Sequence, residues 1–572
     1  MDAAVKASFD EWRSAKLLDE DLTAELEAMK DDEKRITDAF FKDLEFGTGG
    51  LRGVIGAGTN RMNVHTVAKA SQGYSDYLNE NFESPSVAIA HDSRNKGVLF
   101  SETAASVFAA NGIKVYMYSE LMPTPSLSFA VRYLGLSGGI VVTASHNPSK
   151  YNGYKVYGPD GCQITTQGAK AVGAKIRKVD TFNGVRTMPL EEAEAKGLFS
   201  YISEDVVTAF INAVSSESLL KDGDGDKALK LVYTPLNGAG LKCVTRCLKE
   251  NGYTEIHVVA EQAAPDGNFP TCPYPNPEIR EALELGLRDL EATGSDILIA
   301  TDPDSDRVGI ALKKPQGGYR LFSGNETGML LLDYIAKRRL ETGTMPENPV
   351  AVKTIVTTDM ASAIAKDYGI ELREVLTGFK YIGEQIGLLE KEGHSERYIF
   401  GFEESYGYLT GSYVRDKDAV DGAMMIADMA AYYKKRGLTL IDVLNSLYEK
   451  YGYRLNTLYS FEFEGAEGFL RMKTIMEDVR KDTPSSFIGE RVVTANDYKA
   501  SVSVTDGVES KIDLPVSDVL KYITEGGTSI VIRPSGTEPK LKVYLSVKGE
   551  DEKEAREKEA RLKKEAEALF GL

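Results

Sequence analysis

Three aspartates on alternate residues, Asp302, Asp304 and Asp306, stand in Thr301-Asp-Pro-Asp-Ser-Asp-Arg307, directly after the apolar run Ile297-Leu-Ile-Ala300. In extended backbone, alternate side chains share one face. Three carboxylates placed together repel unless a cation neutralises them. Hard oxygen donors in small number suit Mg²⁺, which keeps positions open for a phosphoryl oxygen. An EF-hand is excluded, because its sixth and twelfth positions are here Arg307 and Lys313 instead of Gly and Glu. Asp222-Gly-Asp-Gly-Asp226 repeats the spacing with no strand leading in, and reads as a surface turn. The strand context, not the spacing, carries the metal assignment.

A second segment is denser in function: Thr143-Ala-Ser-His-Asn-Pro-Ser-Lys-Tyr-Asn-Gly-Tyr-Lys155. A β-rich run delivers Ser145 onto a loop, with His146 beside it. Asn152-Gly153 reads as a tight turn, whose return brings the Lys155 ammonium toward the Ser145 hydroxyl. A serine needs a base and charge stabilisation to act as a nucleophile. Gly135-Leu-Ser137-Gly-Gly139 also fits G-x-S-x-G, but a nucleophile elbow runs strand, turn, helix. Here a helix-like segment precedes Ser137 and a strand follows, so it reads as a helix-to-strand turn.

A third segment, Ile532-Arg-Pro-Ser-Gly-Thr-Glu-Pro-Lys540, is a run of donors. Arg533 presents a fork for phosphate oxygens. Ser535 and Thr537 add hydroxyls, Gly536 a turn with backbone N–H groups, and Lys540 a point charge. Gly401-Phe-Glu-Glu-Ser-Tyr-Gly407 offers Glu403 and Ser405 on alternate residues, able to grip two neighbouring hydroxyls of a sugar ring. From spacing alone it is equally a solvated acidic turn. Thr377-Gly-Phe-Lys380 is as weak by itself.

These segments need a large scaffold. The chain has 572 residues, room for roughly three to five domains of ~100–200 residues each. Strand and helix alternate in three rounds from Ser86 to Lys434, which argues α/β layers. The first forty residues read as helices, one opening at Asp21 as N-cap. From about Tyr459 short strands and polar loops follow, closed by a charged helix over Asp551–Leu569 with i, i+4 pairs on a solvated face. Lys+Arg total 68 against Asp+Glu 86, a net charge of −18. Such a chain repels nucleic acid and anionic lipid, so an anionic substrate requires a local positive pocket. Four cysteines without a C-x-x-C pair suit a reducing cytoplasm. Cys243 and Cys247, at i, i+4, read as small buried residues. No signal peptide and no apolar run of ~18 or more residues is visible.

Together the motifs resemble the α-D-phosphohexomutase superfamily over nearly the whole chain, closest to its bacterial phosphoglucomutase and phosphopentomutase-like branch. Phe46-Gly-Thr-Gly-Gly-Leu-Arg-Gly53 is similar to that branch's amino-terminal signature, Thr143–Pro148 to the phosphoserine loop and Asp302–Arg307 to the metal loop. Phe402–Gly407 resembles the sugar loop and Arg533–Thr537 the phosphate loop. The resemblance implies three related α/β domains plus a smaller C-terminal α+β domain around a central cleft. Expected borders are 1–203, 204–317, 318–455 and 456–572. It implies that phospho-Ser145 exchanges its phosphoryl group with a sugar monophosphate through glucose 1,6-bisphosphate, interconverting glucose 1- and 6-phosphates. One Mg²⁺ per chain would sit on Ser145, Asp302, Asp304 and Asp306. Lys155 is expected as general acid/base, its ammonium depressed by nearby cations. His146 and Arg52 would orient the reacting phosphate, and Arg307 would touch phosphate or brace the metal loop. Thr377, Gly378, Glu403, Ser405, Lys417, Arg533, Ser535, Gly536 and Thr537 would contact substrate. The sugar loop lacks the histidine of members reading G-E-x-S-G-H, which leans toward glucose and away from mannose. Phosphomannomutase, phosphopentomutase, a Mg²⁺-dependent sugar phosphatase and a non-catalytic sugar-phosphate binder are the alternatives. A cytoplasmic monomer or homodimer is expected, with no nucleic-acid or membrane partner.

Overall fold

A computed structural model describes residues 1–47, 49–221, 223–463, 465–535 and 540–571, without the side chains of 465–467 and 469. The chain divides into two compact units. One comprises Met1–Ser323, Phe379–Tyr398 and Ser405–Gly437; the other comprises Gly324–Gly378, Ile399–Glu404 and Leu438–Leu572.

The first unit carries two sheets. The strands β1 (Gly50–Val54), β2 (Ser86–His91), β3 (Lys114–Met117), β4 (Gly138–Val142), β5 (Tyr151–Tyr157) and β6 (Phe199–Tyr201) form one, in the order β1-β5-β4-β2-β3-β6. β2 pairs in parallel with β3 and β4, and β3 with β6. Parallel strands covered by helices on both faces must be apolar on both, and every residue of β4 is buried. β5 and β1 add antiparallel at one edge. In the second sheet, β7 (Leu231–Thr234), β8 (Ile256–Val258), β9 (Ile297–Thr301), β10 (Val308–Lys313) and β11 (Tyr319–Leu321) run in the order β11-β10-β9-β7-β8. β7, β8 and β9 are parallel, and the hairpin β9–β10 carries the aspartate loop at its turn.

The chain departs from two expectations. Asn152-Gly153 is no turn: both residues lie inside β5, and Gly153 stands opposite Arg52 of β1. A Cβ on Gly153 would lie 2.4 Å from the Thr143 carbonyl oxygen and 2.9 Å from that of Leu51. The glycine is needed for close strand packing, not for chain reversal. The cap of the helix Glu20–Met29 is Asp19, which accepts from the Asp21 amide, and Asp21 sits in the first turn. The amino-terminal helices themselves form as expected and bury Trp12, Leu26 and Phe40 in the same core as β2 and β4. Ser137 joins the helix Thr124–Tyr133 to β4, accepting from the Ser86 amide at 3.2 Å, as a helix-to-strand turn should. Cys243 and Cys247 are buried on the helix Gly240–Glu250. Of the surface turn expected at Asp222–Asp226, Asp222 lies outside the described residues, and 223–226 are irregular and leave the strand-free reading intact.

In the second unit β12 (Val350–Thr354) pairs in parallel with β13 (Glu371–Val375), and β14 (Tyr398–Glu403) flanks β12. β15 (Gly407–Leu409) belongs to the first unit. The carboxy-terminal sheet runs β16 (Tyr453–Glu462), β17 (Ser486–Phe487), β18 (Glu490–Asp497), β19 (Val502–Thr505), β20 (Val508–Lys511), β21 (Leu520–Thr524), β22 (Ser529–Pro534) and β23 (Lys540–Gly549). Its order is β16-β23-β22-β21-β18-β19-β20, with β17 on β18. The helix Gly465–Lys481 was not among the expected elements; Met472, Ile475, Met476 and Val479 give it a buried stripe at i, i+3, i+4 and i+7. The final helix, Glu552–Leu569, buries only Ala555, Leu562 and Ala566 and pairs Arg556 with Glu552 on its wet face, as expected. Among the described residues no helix is long and apolar enough to cross a membrane.

Candidate functional site

Ser145 stands just past β4 and is 4% exposed. Its backbone is left-handed, with φ +51°, a conformation that costs a non-glycine residue ~1–3 kcal/mol and persists only where surroundings hold it. Two residues the sequence reading passed over supply that hold. Asp92 and Arg94 follow β2 in His91-Asp-Ser-Arg94. One terminal nitrogen of Arg94 donates to the carbonyls of Pro148 at 3.0 Å and Tyr151 at 2.9 Å, and the other donates to those of Ser145 and Asn147. Asp92 faces the Arg94 Nε at 3.4 Å and accepts from the Thr143 hydroxyl at 2.6 Å; that hydroxyl's oxygen in turn accepts from the Ser145 amide at 2.8 Å. The only signal in the sequence was a charged pair directly after an apolar strand.

The aspartate loop meets this serine. The Ser145 hydroxyl donates to Asp302 Oδ2 at 2.8 Å, and His146 Nδ1 lies 3.1 Å from the same hydroxyl. Asp302 Oδ1 accepts from the amides of Asp306 and Arg307, each at 3.0 Å. Asp302 and Asp304 are 0% exposed and Asp306 1%. Burial and the neighbouring charges of Asp304 and Asp306 push the Asp302 carboxyl well above the carboxylate range. Burial pushes Asp304 the same way, but the Lys155 ammonium 2.8 Å away overcomes it and holds Asp304 below its ordinary value. Oxygen atoms of the three carboxylates lie within 4.8 Å of one another. Asp304 Oδ1 and Asp306 Oδ1 are buried with no hydrogen-bond partner among the described residues. Buried carboxylate oxygens without donors call for a cation, and an all-oxygen donor set fits Mg²⁺.

Cations surround the group. Lys155, opposite Val141 on β5, reaches Asp306 at 3.3 Å as well as Asp304. Burial opposes its charge, yet the two aspartates win, so the ammonium titrates above its ordinary value. That reverses the expected depression: its nearest neighbours are carboxylates, with Lys417 a lesser influence. Lys417 contacts Asp306 at 2.9 Å and Asp416 at 3.6 Å. Arg307 is tied to Glu278 at 2.7 Å. The walls around Arg52 strip its hydration and, with Arg307 and Arg94, lower its guanidinium, which stays charged. Burial, Arg307 and Arg52 together hold His146 well below its ordinary value, so the imidazole is neutral at pH 7. The Tyr406 carbonyl accepts from the Val308 amide at 3.1 Å, seating the segment after Ser405 against the aspartate loop.

The remaining expected residues lie in the second unit. Glu403 closes β14 instead of standing on a loop, and is 5% exposed. Arg533 lies on β22 and hydrogen-bonds the Tyr544 hydroxyl of β23. Burial and the charge of Glu404 push that hydroxyl up to about 12, with Arg533 opposing and Glu403 adding a smaller push. Tyr544 thus bonds Arg533 within the field of the sugar-loop carboxylates, which the sequence did not foretell because a tyrosine in a strand carries no distinguishing pattern. Thr377 has a buried hydroxyl without a partner among the described residues, and Gly378 has φ +119°. Ser535 ends the described segment; Gly536 and Thr537 lie outside the described residues.

A serine hydroxyl held on a buried aspartate triad and ringed by lysine, arginine and neutral histidine, on paired α/β sheets, defines a site suited to metal-assisted phosphoryl transfer. Family models agree. Those for phosphoglucomutase/phosphomannomutase alpha/beta/alpha domains I, II and III match residues 43–182, 208–317 and 323–451, and that for the C-terminal domain matches 487–564. The chain belongs to the phosphoglucomutase/phosphomannomutase family. It is 36% identical over 507 residues to a phosphoglucomutase of Staphylococcus epidermidis, covering 88% of this chain and 90% of the relative. It is 35% identical over 530 residues to a phosphoglucomutase of Staphylococcus aureus, covering 92% and 93%. A phosphoglucomutase/phosphomannomutase family protein of Burkholderia thailandensis superposes with a TM-score of 0.67 at 20% identity, over 92% of this chain and 97% of that one.

Proposed function

We propose that this enzyme is a phosphoglucomutase, interconverting glucose 1-phosphate and glucose 6-phosphate through phospho-Ser145 and glucose 1,6-bisphosphate. The observation that carries the reaction class is the Ser145 hydroxyl donating to Asp302 at 2.8 Å within a buried triad. The preference for glucose draws on the relatives' names and on the sugar loop, which reads Glu403-Glu-Ser-Tyr-Gly407 without histidine.

Asp302, Asp304 and Asp306, with Ser145, would hold one Mg²⁺, which when bound neutralises charge on the phosphoryl oxygens. Arg52 and His146 orient the phosphoryl group on Ser145. As the bond from Ser145 Oγ to phosphorus breaks and one from a sugar hydroxyl forms, the Lys155 ammonium gives its proton to Oγ and recovers the one the sugar hydroxyl releases. A lysine held charged by Asp304 and Asp306 begins that exchange as an acid. Arg307 braces the loop through Glu278. Lys417, Glu403, Ser405, Thr377 and Gly378 take the sugar, and Arg533, Ser535, Gly536 and Thr537 take the phosphate that is not reacting; these roles rest on the motifs. On this reading the domains are residues 1–203, 204–317, 318–455 and 456–572, and the enzyme works in the cytoplasm as a monomer or homodimer.

Intact-mass measurement before and after incubation with glucose 1,6-bisphosphate tests the proposal. One phosphoryl group mapping to Ser145 is expected, with Ser145→Ala inactive. Full mutase activity in that variant would sink it. Release of free phosphate from glucose 1-phosphate would favour a phosphatase. A panel of glucose, mannose, glucosamine and ribose 1-phosphates reads the sugar preference.

A further inference from the structure

The first unit contains a cavity of about 380 Å³. It lies among the amino-terminal helices, the segment leading into β1, and the helix Thr166–Ile176. That volume falls at the small end of ligand pockets, ~300–1,000 Å³, and suits a molecule of one or two rings. Its walls are mainly apolar and aromatic, including Trp12, Phe46, Leu51 and Ile176. Trp12 is pinned by edge contacts to Phe40, His65 and Phe182 at 5.4–5.8 Å, so that wall is rigid. The polar lining is unequal in its engagement. Of the charged lining, Asp43 is paired with Lys69 at 3.0 Å and Glu45 with Lys42 at 3.8 Å, whereas Arg177 forms no ion pair among the described residues and is exposed at the cavity's edge. A rigid apolar wall beside an unengaged guanidinium is the complement of a flat apolar anion.

We propose that this cavity is a second ligand site, taking a planar apolar molecule of one or two rings with a single anionic group held by Arg177. It lies on the sheet edge that also serves the serine. Leu51 lines the cavity, and the next residue of β1 is Arg52. Gly50 pairs with Lys155 across the same two strands. An occupant pressing on Leu51 acts on Arg52 and Lys155 through that ladder. Binding is independent of the mutase reading; only the effect on turnover rests on it.

Trp12 is the single tryptophan of the chain, so the cavity carries its own reporter. The probe is 8-anilinonaphthalene-1-sulfonate, titrated into the phosphorylated, Mg²⁺-loaded enzyme with excitation of Trp12. The expected result is saturable quenching of Trp12 with energy transfer to the probe. Arg177→Glu should weaken the affinity at least tenfold. Gly173→Leu should abolish binding: a Cβ there meets Phe46 at 3.7 Å and Arg177 at 3.5 Å, ordinary contacts, so a longer side chain enters the cavity while favouring the helix. Thr181→Trp, read by probe emission, fills the cavity from another wall if Gly173→Leu does not fold. No saturable transfer in the wild type, or an affinity unchanged within twofold in Arg177→Glu or in the filled variant, overturns the site. Saturating probe should change wild-type turnover at least twofold and leave Arg177→Glu unaffected; unchanged turnover with the probe bound overturns the coupling to Arg52.

Discussion

Replacing Arg94 with methionine separates what holds the serine loop from what holds the fold. The Asp92 and Arg94 side chains are both 0% exposed. Removing the guanidinium leaves a buried carboxylate with the Thr143 hydroxyl and the Arg94 amide as its remaining donors. Stranding one member of a buried ion pair costs ~3–5 kcal/mol, a large part of the ~5–15 kcal/mol by which a domain is stable. The variant also frees the carbonyls of Ser145, Asn147, Pro148 and Tyr151 from their common donor. Asp92→Asn in the same chain removes the stranded charge and should restore most of the stability. It should not restore the loop. A shift of ~1 Å in a reacting group costs ~100-fold in rate, so the double variant is expected to fold nearly as well as wild type and turn over ~100-fold more slowly, with KM nearly unchanged. Urea unfolding of the four members of the cycle gives the coupling energy, and a coupled glucose 6-phosphate assay gives kcat. A destabilisation of Arg94→Met below ~1 kcal/mol, or full kcat in the double variant, would refute the reasoning.

Asp304→Ala should lose both its carboxylate oxygens and Mg²⁺ dependence. At several kcal/mol of charge stabilisation and tenfold per ~1.4 kcal/mol, turnover should fall ~100–1,000-fold. Chelation should do the same reversibly to the wild type, as a metal titration would show. Asp418 caps the helix Ala419–Lys434, accepting from Val420 at 2.7 Å and from the Tyr413 hydroxyl at 2.8 Å. Burial raises its carboxyl from 3.8 to about 7, with Asp416 adding a smaller push. The folded state binds the proton more tightly than the unfolded chain, so this stabilisation is full below about pH 4 and lost as pH rises through 7. At ~1.4 kcal/mol per pH unit the loss is about 4 kcal/mol. Asp418→Asn keeps the acceptor and should lack that slope, as urea unfolding at pH 5 and 7.5 would reveal. In the second unit Lys353 and Lys521, 0% and 2% exposed, share Asp359 and Glu374 at 2.7–3.5 Å. Lys521→Met leaves one net negative charge on the part-buried carboxylates Asp359 and Glu374 and should cost ~1–3 kcal/mol; adding Glu374→Gln should recover most of it, and strictly additive effects in thermal unfolding would contradict the balance.

The serine loop and the aspartate loop were legible because each concentrates unusual side chains at turns, where short-range chemistry dominates. Strand and helix alternation was legible for the same local reason: β4 is a continuous apolar run, and the final helix repeats its charges at i, i+4. Asn152-Gly153 misled because the pair favours a turn locally, whereas the neighbouring carbonyls of Thr143 and Leu51 demand a residue without a side chain. The buried stripe of Gly465–Lys481 was present in the residues but interrupted by charges, which diluted its period.

Residue types and local patterns supply the parts: a serine, three carboxylates, a set of cations, and α/β layers to carry them. How these groups bias one another follows from long-range packing. Residue types set ordinary titration and reach, but burial and the sign of the nearest charge set their state. Hence Lys155, expected near neutrality, is held charged by two aspartates from another sheet. Hence also Arg94, unremarked in the chain, gathers four carbonyls from a loop more than fifty residues away. Such contacts join segments distant in sequence, and no local pattern encodes them.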